Sequence, residues 1–446
     1  MKIIIAGAGD LGFHLAQLLS IEDQDITLID SNKDVLDYAA AHLDVLTVLG
    51  DASSLRVLAE ANVQQANLVL AVTTSESSNL MTAILAKKQG ARRTIARVSS
   101  TEYLAPEHLS MFKELGIDSL FSPRSLAAKE IERLINRVSF TDIFEFEEGK
   151  ISLVGITLDD NSPLVNTSID EIKRLENAVA LRPMAILRGN QTIFPHGDVV
   201  LKRNDHIYFI TNTDQINLIE TLVGLKKKTV KKIMILGGTG MAYETAKLLE
   251  NEYSVTLIEG SKDRCKWLAE QLNNTLIING KSSNIDLLEE EGLDTMDAFI
   301  ALTPNSETNI IASLTAKNHG VIKTIAQVEN KEYTHISQNI GVDTLINKKL
   351  IAANNIFRYV RKGRIEAITG LHGVDAEIIE FVISKNNHLT RKPLREQRFP
   401  KQALIGCVIR GAETLLPNGD FTLKLHDKAI VFAMPEAISG VERIFR

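Results

Sequence analysis

Apolar positions along this chain come in two alternating textures: short runs that are apolar throughout, and longer stretches where they recur at every third or fourth residue. The first texture marks buried strands and the second amphipathic helices. Lys2-Ile3-Ile4-Ile5-Ala6 opens the chain as a strand too brief for a helix to be preferred. Residues 13–19 carry helical spacing, and Asp25-Ile26-Thr27-Leu28-Ile29 is a second strand ending in Asp30. The alternation continues with helices over 33–41, 54–61 and 79–89, and strands over 45–49, 68–72 and 94–98. Strands alternating with helices across short turns predict a parallel, doubly wound α/β sheet. Ligands of such a sheet sit at the carboxyl ends of its strands, where Gly9, Asp30, Asp51, Thr73 and Arg97 fall.

Ser122-Pro123-Arg124-Ser125 reads as a helix start, followed by an apolar stripe of Leu126, Ile131, Leu134, Ile135 and Val138. The stripe either packs on its own sheet or leaves the first lobe for a partner subunit; its place between two differently built lobes favours the partner. From Ile151 the texture changes to short strands over 151–156, 178–181 and 206–210, parted by Pro163, Gly189-Asn190 and His196-Gly197-Asp198. Only 168–175 has helical spacing. This is a small β-rich α+β lobe with Leu175, Ile186 and Val199 in its core, ending near Leu225 before a Lys226-Lys227-Lys228 linker.

The chain then starts again. Lys2 returns as Lys232, Gly50 as Gly280, Gly90 as Gly320 and Glu102-Tyr103 as Glu332-Tyr333. The small lobe repeats as well: Arg188-Gly189 becomes Arg410-Gly411, Pro195 becomes Pro417, and Gly197-Asp198 becomes Gly419-Asp420. So long a period is a domain duplication, not a solenoid. The expected fold is a tandem pair of Rossmann-like doubly wound parallel sheets, each followed by a small α+β lobe. The expected segments are 1–121, a crossover helix over 122–140, and a small lobe over 141–225. A second sheet lobe (226–346), crossover helix (347–363) and small lobe (364–446) follow.

The turn after the first strand carries chemistry. Gly7-Ala8-Gly9-Asp10-Leu11-Gly12 lies between a strand and a helix, with an acid, Asp30, at the end of the next strand. That is the context a dinucleotide fingerprint requires. Gly7 allows the tight turn, Gly9 leaves the backbone open to a pyrophosphate, and Gly12 lets helix and sheet close up. The helix start offers unpaired N–H groups and the positive end of a dipole. Asp30 is placed to accept hydrogen bonds from an adenosine ribose and would repel a 2′-phosphate, which favours NAD or an adenine nucleotide over NADP. Asp10 suits the dipole if it faces solvent. Facing inward, it would favour the two phosphates of NAD over ATP.

In the second copy the fingerprint becomes Gly237-Gly238-Thr239-Gly240-Met241-Ala242. Glu259 still matches Asp30, but Thr239 sets a branched side chain where the pyrophosphate should approach. Lys281 replaces Asp51, Pro304 replaces Thr74 and Gln327 replaces Arg97. This lobe reads as structural or weakly binding.

The 446 residues suggest two to four domains, and 44% hydrophobic with 24% charged residues is ordinary for a globular protein. A formal net charge of −6 gives no basic field for nucleic acid. Two cysteines, Cys265 and Cys407, lack metal-ligand spacing and suit a reducing cytoplasm. No apolar run approaches a membrane span, and the chain enters a strand at once without a signal-peptide pattern. Contact with a membrane is therefore expected only through a partner.

The duplicated plan, with Gly7 to Gly12, Asp30, Gly50-Asp51, Ala71-Val72-Thr73 and Ile95-Ala96-Arg97-Val98, resembles the TrkA family over essentially the whole chain. These are RCK-type (KTN plus TrkA-C) regulatory subunits of bacterial Trk potassium uptake systems. The resemblance implies a cytoplasmic homotetramer forming a gating ring on the inner face of the membrane, beneath a TrkH-type or TrkG-type potassium channel subunit. It also implies NAD or NADH, and ATP or ADP, as ligands of the first lobe. Carried over by resemblance, Gly7, Ala8, Gly9, Asp10 and Leu11 hold the phosphates, Asp30 the ribose, Asp51, Thr73 and Thr74 flank the adenosine, and Arg97 reaches phosphate. The matching second-lobe positions are Gly237, Gly238, Thr239, Gly240, Met241, Glu259 and Thr303.

Three other readings compete. An NAD-dependent oxidoreductase needs an acid or base near the nicotinamide. His196 and His206 fall in a turn and at a strand start without an evident partner, and His14 on the first helix is explained by packing or exposure. There is no G-x-S-x-G, no Walker lysine-serine motif and no H-E-x-x-H. No catalytic residue or metal ligand is assigned, and the chain reads as a non-enzyme. A ligand-sensing subunit of another ion transporter is the nearer rival, and an assembly scaffold a third. The lone Trp267 is expected to fill a gap between helix and sheet.

Overall fold

The structure, a computed structural model, describes residues 1–20, 24–138, 140–146, 149–160, 162–175, 181–189, 191–224, 229–282, 284–330, 341–360, 365–370, 376–411 and 413–445. The first repeat runs β1 (Lys2–Ala6), α1 (Asp10–Ser20), β2 (Asp25–Asp30), α2 (Lys33–His42), β3 (Leu46–Leu49), α3 (Leu55–Glu60), β4 (Leu68–Ala71), α4 (Glu76–Lys88), β5 (Thr94–Arg97), α5 (Pro106–Glu114), β6 (Ser119–Phe121) and α6 (Pro123–Asn136). Its small lobe follows as β7 (Asp142–Phe146), β8 (Ile151–Thr157), α7 (Ile169–Leu175), β9 (Leu181–Arg188), β10 (Gln191–Ile193), β11 (His206–Asn212) and α8 (Ile216–Val223).

The second repeat runs β12 (Lys232–Leu236), α9 (Gly240–Leu249), β13 (Ser254–Glu259), α10 (Lys262–Gln271), β14 (Thr275–Asn279), α11 (Ile285–Glu290), β15 (Ala298–Ala301), α12 (Ser306–Asn318), β16 (Lys323–Gln327), β17 (Thr344–Ile346) and α13 (Lys348–Val360). Its small lobe is β18 (Ile365–Gly370), β19 (Glu377–Val382), β20 (Ala403–Arg410), β21 (Glu413–Leu415), β22 (Lys428–Ala433) and α14 (Pro435–Phe445).

Two compact units emerge, and they do not follow the repeat. One is Met1–Glu130 with Asn347–Val360; the other is Ile131–Ile346 with Arg361–Arg446. The first unit is a six-stranded parallel sheet in the order β3-β2-β1-β4-β5-β6. Strand order reverses between β1 and β4, which opens a crevice at their carboxyl ends. Ile3 to Ala6 and Leu68 to Ala71 are buried, as strands sandwiched between two helical layers must be. Helix α13, contributed by the second repeat, packs on α1.

In the second unit the other parallel sheet repeats the order as β14-β13-β12-β15-β16-β17. The two small lobes are antiparallel sheets, β7-β8-β11-β9-β10 and β18-β19-β22-β20-β21, matching strand for strand. They share one core in which Met184, Tyr208 and Ile210 meet Ile378, Cys407 and Phe432. Arg182 Nη1 also donates to the Ile405 carbonyl at 3.0 Å. The carbonyls of Phe140 and Thr141, leading into the first small lobe, accept from Lys323 Nζ (2.8 Å) and Thr344 Oγ1 (3.2 Å) of the second parallel sheet.

Each small lobe carries a buried carboxylate held by a fork of guanidinium bonds. Asp205, fully buried, accepts from Arg188 Nε and Nη2 at 2.7 Å each, and from the Lys202 N–H at 2.8 Å. Asp427 accepts in the same way from Arg410 (2.9 and 2.7 Å) and the Lys424 N–H (2.7 Å). Arg188 and Arg410 are held above the ordinary arginine value by these bonds.

Several expectations are corrected. The strand expected at 178–181 begins at Leu181 and runs to Arg188, with 178–180 outside the described residues. Pro183 is accommodated because the pairing of β9 with β11 slips there, and a proline cannot donate to a regular ladder. Strand β7 and helix α8 were not expected. Ile216, Ile219 and Val223 form the buried stripe of α8, and Gly224 ends it in the left-handed region (φ 75°). Ile131, Leu134 and Ile135 of the α6 stripe are buried by the chain itself and not left for a partner subunit, while Leu126 and Val138 at its ends are half-buried. Ile186 is core as expected and Val199 is half-buried. The Leu175 side chain, Asn190, the Lys226-Lys227-Lys228 linker, Glu332-Tyr333 and 361–363 lie outside the described residues.

His206 is the sharpest correction. It is 4% exposed, with Nε2 3.3 Å from Asp142 Oδ2 and Nδ1 2.9 Å from Thr157 Oγ1. Tyr208 donates its hydroxyl to the same carboxylate at 3.0 Å. Burial first, then the Asp142 charge, hold the Tyr208 phenol well above its ordinary value. The neutral form is the one the fold favours, so this bond stabilises fully below about pH 10, the ordinary tyrosine value, and is lost as pH rises through the folded value. In an alkaline titration followed by phenolate absorbance, wild type and Tyr208→Phe should therefore coincide until the protein unfolds. An extra phenolate forming in wild type before unfolding would contradict the burial.

Candidate functional site

The crevice between β1 and β4 is a cleft of about 510 Å³, within the range of small-ligand sites. Its floor is the turn from β1 to α1. Gly7 takes a φ of 107°, and a Cβ there would meet the Thr73 N at 2.9 Å. A Cβ on Gly12 would fall 1.7 Å from the Gly7 carbonyl oxygen, so α1 lies against the turn as only glycine permits. Gly9 has open space above it. First-turn N–H groups of a helix have no intrahelical acceptor, and Gly9, Asp10 and Leu11 line the cleft where α1 begins.

Polar groups around the mouth are held by the backbone. Asp30 Oδ2 accepts from the Ala8 N–H at 2.7 Å, and Oδ1 from the Asn32 N–H at 2.9 Å. Asp51 accepts from the Ser53 N–H (2.8 Å) and hydroxyl (2.7 Å), which keeps its carboxyl below the ordinary value. Buried Asn79 ties β4 to β5: Nδ2 donates to the carbonyls of Thr73 and Arg97 at 3.0 Å each. Its Oδ1 accepts from the Thr73 N–H (2.8 Å) and hydroxyl (2.7 Å). The Thr73 hydroxyl is thus committed to Asn79. Glu76 Oε2 takes the N–H groups of Ser99 (2.5 Å) and Ser100 (2.8 Å), fixing the loop after Arg97.

Arg97 is lowered from the ordinary arginine value by burial and by the nearby Arg124 charge. No carboxylate pairs with its guanidinium among the described residues. Two further cations, Lys348 and Lys349 at the start of α13, line the same cleft. Lys349 Nζ sits 2.5 Å from Asp10 Oδ2, on a carboxylate three-quarters exposed. Asp10 therefore reaches a cation at the cleft rim, and its charge is balanced there.

Of the expected residues, Gly7, Gly9, Asp10, Leu11, Asp30, Asp51, Thr73, Thr74 and Arg97 line this cleft, and Ala8 contributes through its N–H on Asp30. Asn79, Lys348 and Lys349 were missed. The recurrence of Thr73 and Asn79 as Thr303 and Asn309 was a readable signal; nothing in the sequence places Lys348 and Lys349 beside residues so distant in the chain.

The second lobe repeats the framework. Glu259 accepts from the Gly238 N–H (2.6 Å) and Ser261 N–H (2.7 Å), and Asn309 bonds Thr303 and Gln327 as Asn79 bonds Thr73 and Arg97. Gly237 backs onto Thr303 as Gly7 does onto Thr73, and Gly240 and the buried Met241 start α9. The Thr239 hydroxyl donates to the Leu302 carbonyl (3.0 Å) and accepts the Ala242 N–H (3.3 Å), so this helix start is already capped. Gln327 Nε2 is bonded to Glu329 at 2.9 Å. Arg264 Nε donates to the Gly238 carbonyl at 2.7 Å while its guanidinium lies 4.0 Å from the Trp267 ring centroid. Trp267 is 38% exposed, which corrects the expected helix–sheet filler.

The described residues hold no group of metal-ligating side chains, and no described helix is long and apolar enough to cross a membrane. The TrkA-N domain model matches residues 3–123 and 233–348, and the TrkA-C domain model matches 153–224. The chain is 32% identical over 455 residues to the Trk system potassium uptake protein TrkA homolog 1 of Methanosarcina mazei, and 33% identical over 452 residues to the TrkA homolog of Archaeoglobus fulgidus. Both alignments cover all of this chain and all of the relative. The TrkA of Halomonas elongata is 31% identical, with 100% of this chain and 99% of the relative covered. Among solved structures, the GsuK RCK domain superposes with a TM-score of 0.61 at 16% identity, over 100% of this chain and 94% of that one. The GsuK channel bound to NAD gives 0.62 at 16% identity, over 100% and 78%. At such identity these two show the fold.

Proposed function

We propose, because this chain belongs to the TrkA family of Trk potassium uptake proteins, that it is a nucleotide-sensing regulatory subunit of a membrane potassium channel. The observation that carries this reading is the cleft between β1 and β4, with Asp30 fixed at its mouth and the Arg97 guanidinium paired with no carboxylate among the described residues. A carboxylate for ribose hydroxyls and a cation for phosphate suit NAD(H), ADP or ATP. The helix start in the second lobe is capped by its own Thr239, which supports occupancy in the first lobe alone.

Binding in the cleft would act as a signal. A ligand shifts a conformational equilibrium only through unequal affinity for the two states, and α13 brings residues of the second repeat to the first cleft. Our division of the chain gives a sheet lobe, a crossover helix and a small lobe, twice over, at the six segments above. Assembly into a homotetrameric ring on the cytoplasmic side of a TrkH-type or TrkG-type subunit is part of the proposal. It is supported by exposed apolar residues recurring at matched positions of both repeats: Leu46 and Leu276, Leu55 and Ile285, Met81 and Ile311. No catalytic role is assigned, and His206 is buried in its small lobe.

Calorimetric titration of the intact chain tests the reading. NAD, NADH, ADP and ATP should bind, NADP should bind more weakly, and Asp30→Ala should weaken the first four by about tenfold, the size of a lost charge-assisted bond. Unchanged affinities in Asp30→Ala would move the site elsewhere. Potassium flux through a reconstituted membrane partner that ignores added nucleotide would end the gating proposal, and steady consumption of NADH with a substrate would replace it with an enzyme.

A further inference from the structure

We propose that Lys349 of α13 counts phosphates in the first cleft by exchanging the Asp10 carboxylate for the terminal phosphate of a nucleoside di- or triphosphate. The inference rests on nucleotide binding there, as argued above.

Three observations converge. Lys349 and Lys348 line the same cleft as Gly9, Asp30 and Arg97, although they belong to the second repeat. Lys349 Nζ is bonded to Asp10 Oδ2 at the rim, next to the start of α1 where phosphates would lie. The Asp10 side chain is 75% exposed against 28% for Lys349, so water competes for the carboxylate more than for the ammonium. A phosphate oxygen brought to the rim is a stronger acceptor for an ammonium, and it also meets repulsion from Asp10 unless Lys349 intervenes.

The outcome depends on ligand charge. AMP places one phosphate at the floor of the cleft and leaves the Lys349–Asp10 bond intact. Each further phosphate extends toward the rim and draws Lys349 away from Asp10. The displacement is registered on α13, so phosphate number in the first lobe becomes a change in a helix that the second repeat supplies. Ligands with the same adenosine are thereby distinguished by residues that never touch the base.

The test is calorimetric titration of AMP, ADP, ATP and NAD against the full-length chain, its Lys349→Gln and Asp10→Asn variants, and the double variant. Lys349→Gln should weaken ATP by about tenfold, as for one charge-assisted hydrogen bond, ADP by less and AMP not at all. Asp10→Asn should tighten ATP by a few-fold, and AMP by less. In the double variant the two effects should not add, because the residues act as a pair. Wild-type thermal unfolding in each variant shows that the fold is intact, and Lys349→Arg should retain most of the preference. Equal weakening of all four ligands by Lys349→Gln, or no change in any, would overturn the inference while leaving the nucleotide reading standing. A wild-type chain that binds none of the four would overturn both.

Discussion

Gly12→Ala should abolish measurable nucleotide binding and destabilise the first unit by about 3 kcal/mol, the upper end of what overpacking a core costs. The added methyl would land 1.7 Å from the Gly7 carbonyl oxygen and 2.9 Å from the Gly7 carbonyl carbon. Both are backbone atoms, so no side chain can step aside. Either α1 lifts from β1 or the turn gives up the bond from the Gly7 N–H to the Ile29 carbonyl (2.8 Å), and both moves distort the cleft floor. The second repeat supplies a control, since Ala242 occupies the matching place, fully buried, in a turn that already accommodates it. Ala242→Gly should cost only about 1 kcal/mol, the helix penalty of glycine. Scanning calorimetry with a parallel nucleotide titration reads both. A Gly12→Ala protein that melts and binds like wild type would mean that close approach does not shape the site.

Arg188→Met should cost the second unit about 3–5 kcal/mol, the usual result of stripping the partner from a buried charge. Asp205 is fully buried, and the two guanidinium bonds leave it only the Lys202 N–H when they are removed. Arg410→Met should behave alike through Asp427, because the second small lobe repeats the arrangement. Replacing both partners, as Arg188→Met with Asp205→Leu, should recover most of the loss, since an apolar pair leaves no charge without a partner. Urea unfolding measures all three. If Arg188→Met alone unfolds at the wild-type midpoint, the fork is a surface ornament and not a support of the lobe.

The parts of this molecule legible in the sequence are those governed by neighbours along the chain. The Gly7 to Gly12 turn, Asp30 and the alternation of strand and helix are local signals, and they set the sheet order and the cleft at its reversal. Strand β9 was misplaced because Pro183 reads as a breaker unless the slip against β11 is known. Helix α8 escaped because Ile216, Ile219 and Val223 make a stripe of only two turns. His206 read as a lone histidine because Asp142, its partner, lies in a strand of another stretch of the chain. Trp267 read as core on size alone, whereas Arg264 and Tyr243 hold it at the surface. The stripe of α6 reads as a face for a partner subunit, whereas Ile131, Leu134 and Ile135 are covered within the chain. Lys348 and Lys349 were invisible for a deeper reason. Local sequence says what a helix buries, and never which of two similar lobes will take it.

The membership of α13 in the first unit has a consequence for how the protein is made. Residues 1–130 cannot complete their unit until residues 347–360 have been synthesised, so the nascent first sheet leaves the ribosome with the α13 face of α1 still bare. Closing so long a loop is slow, and a surface left open meanwhile invites the wrong neighbour.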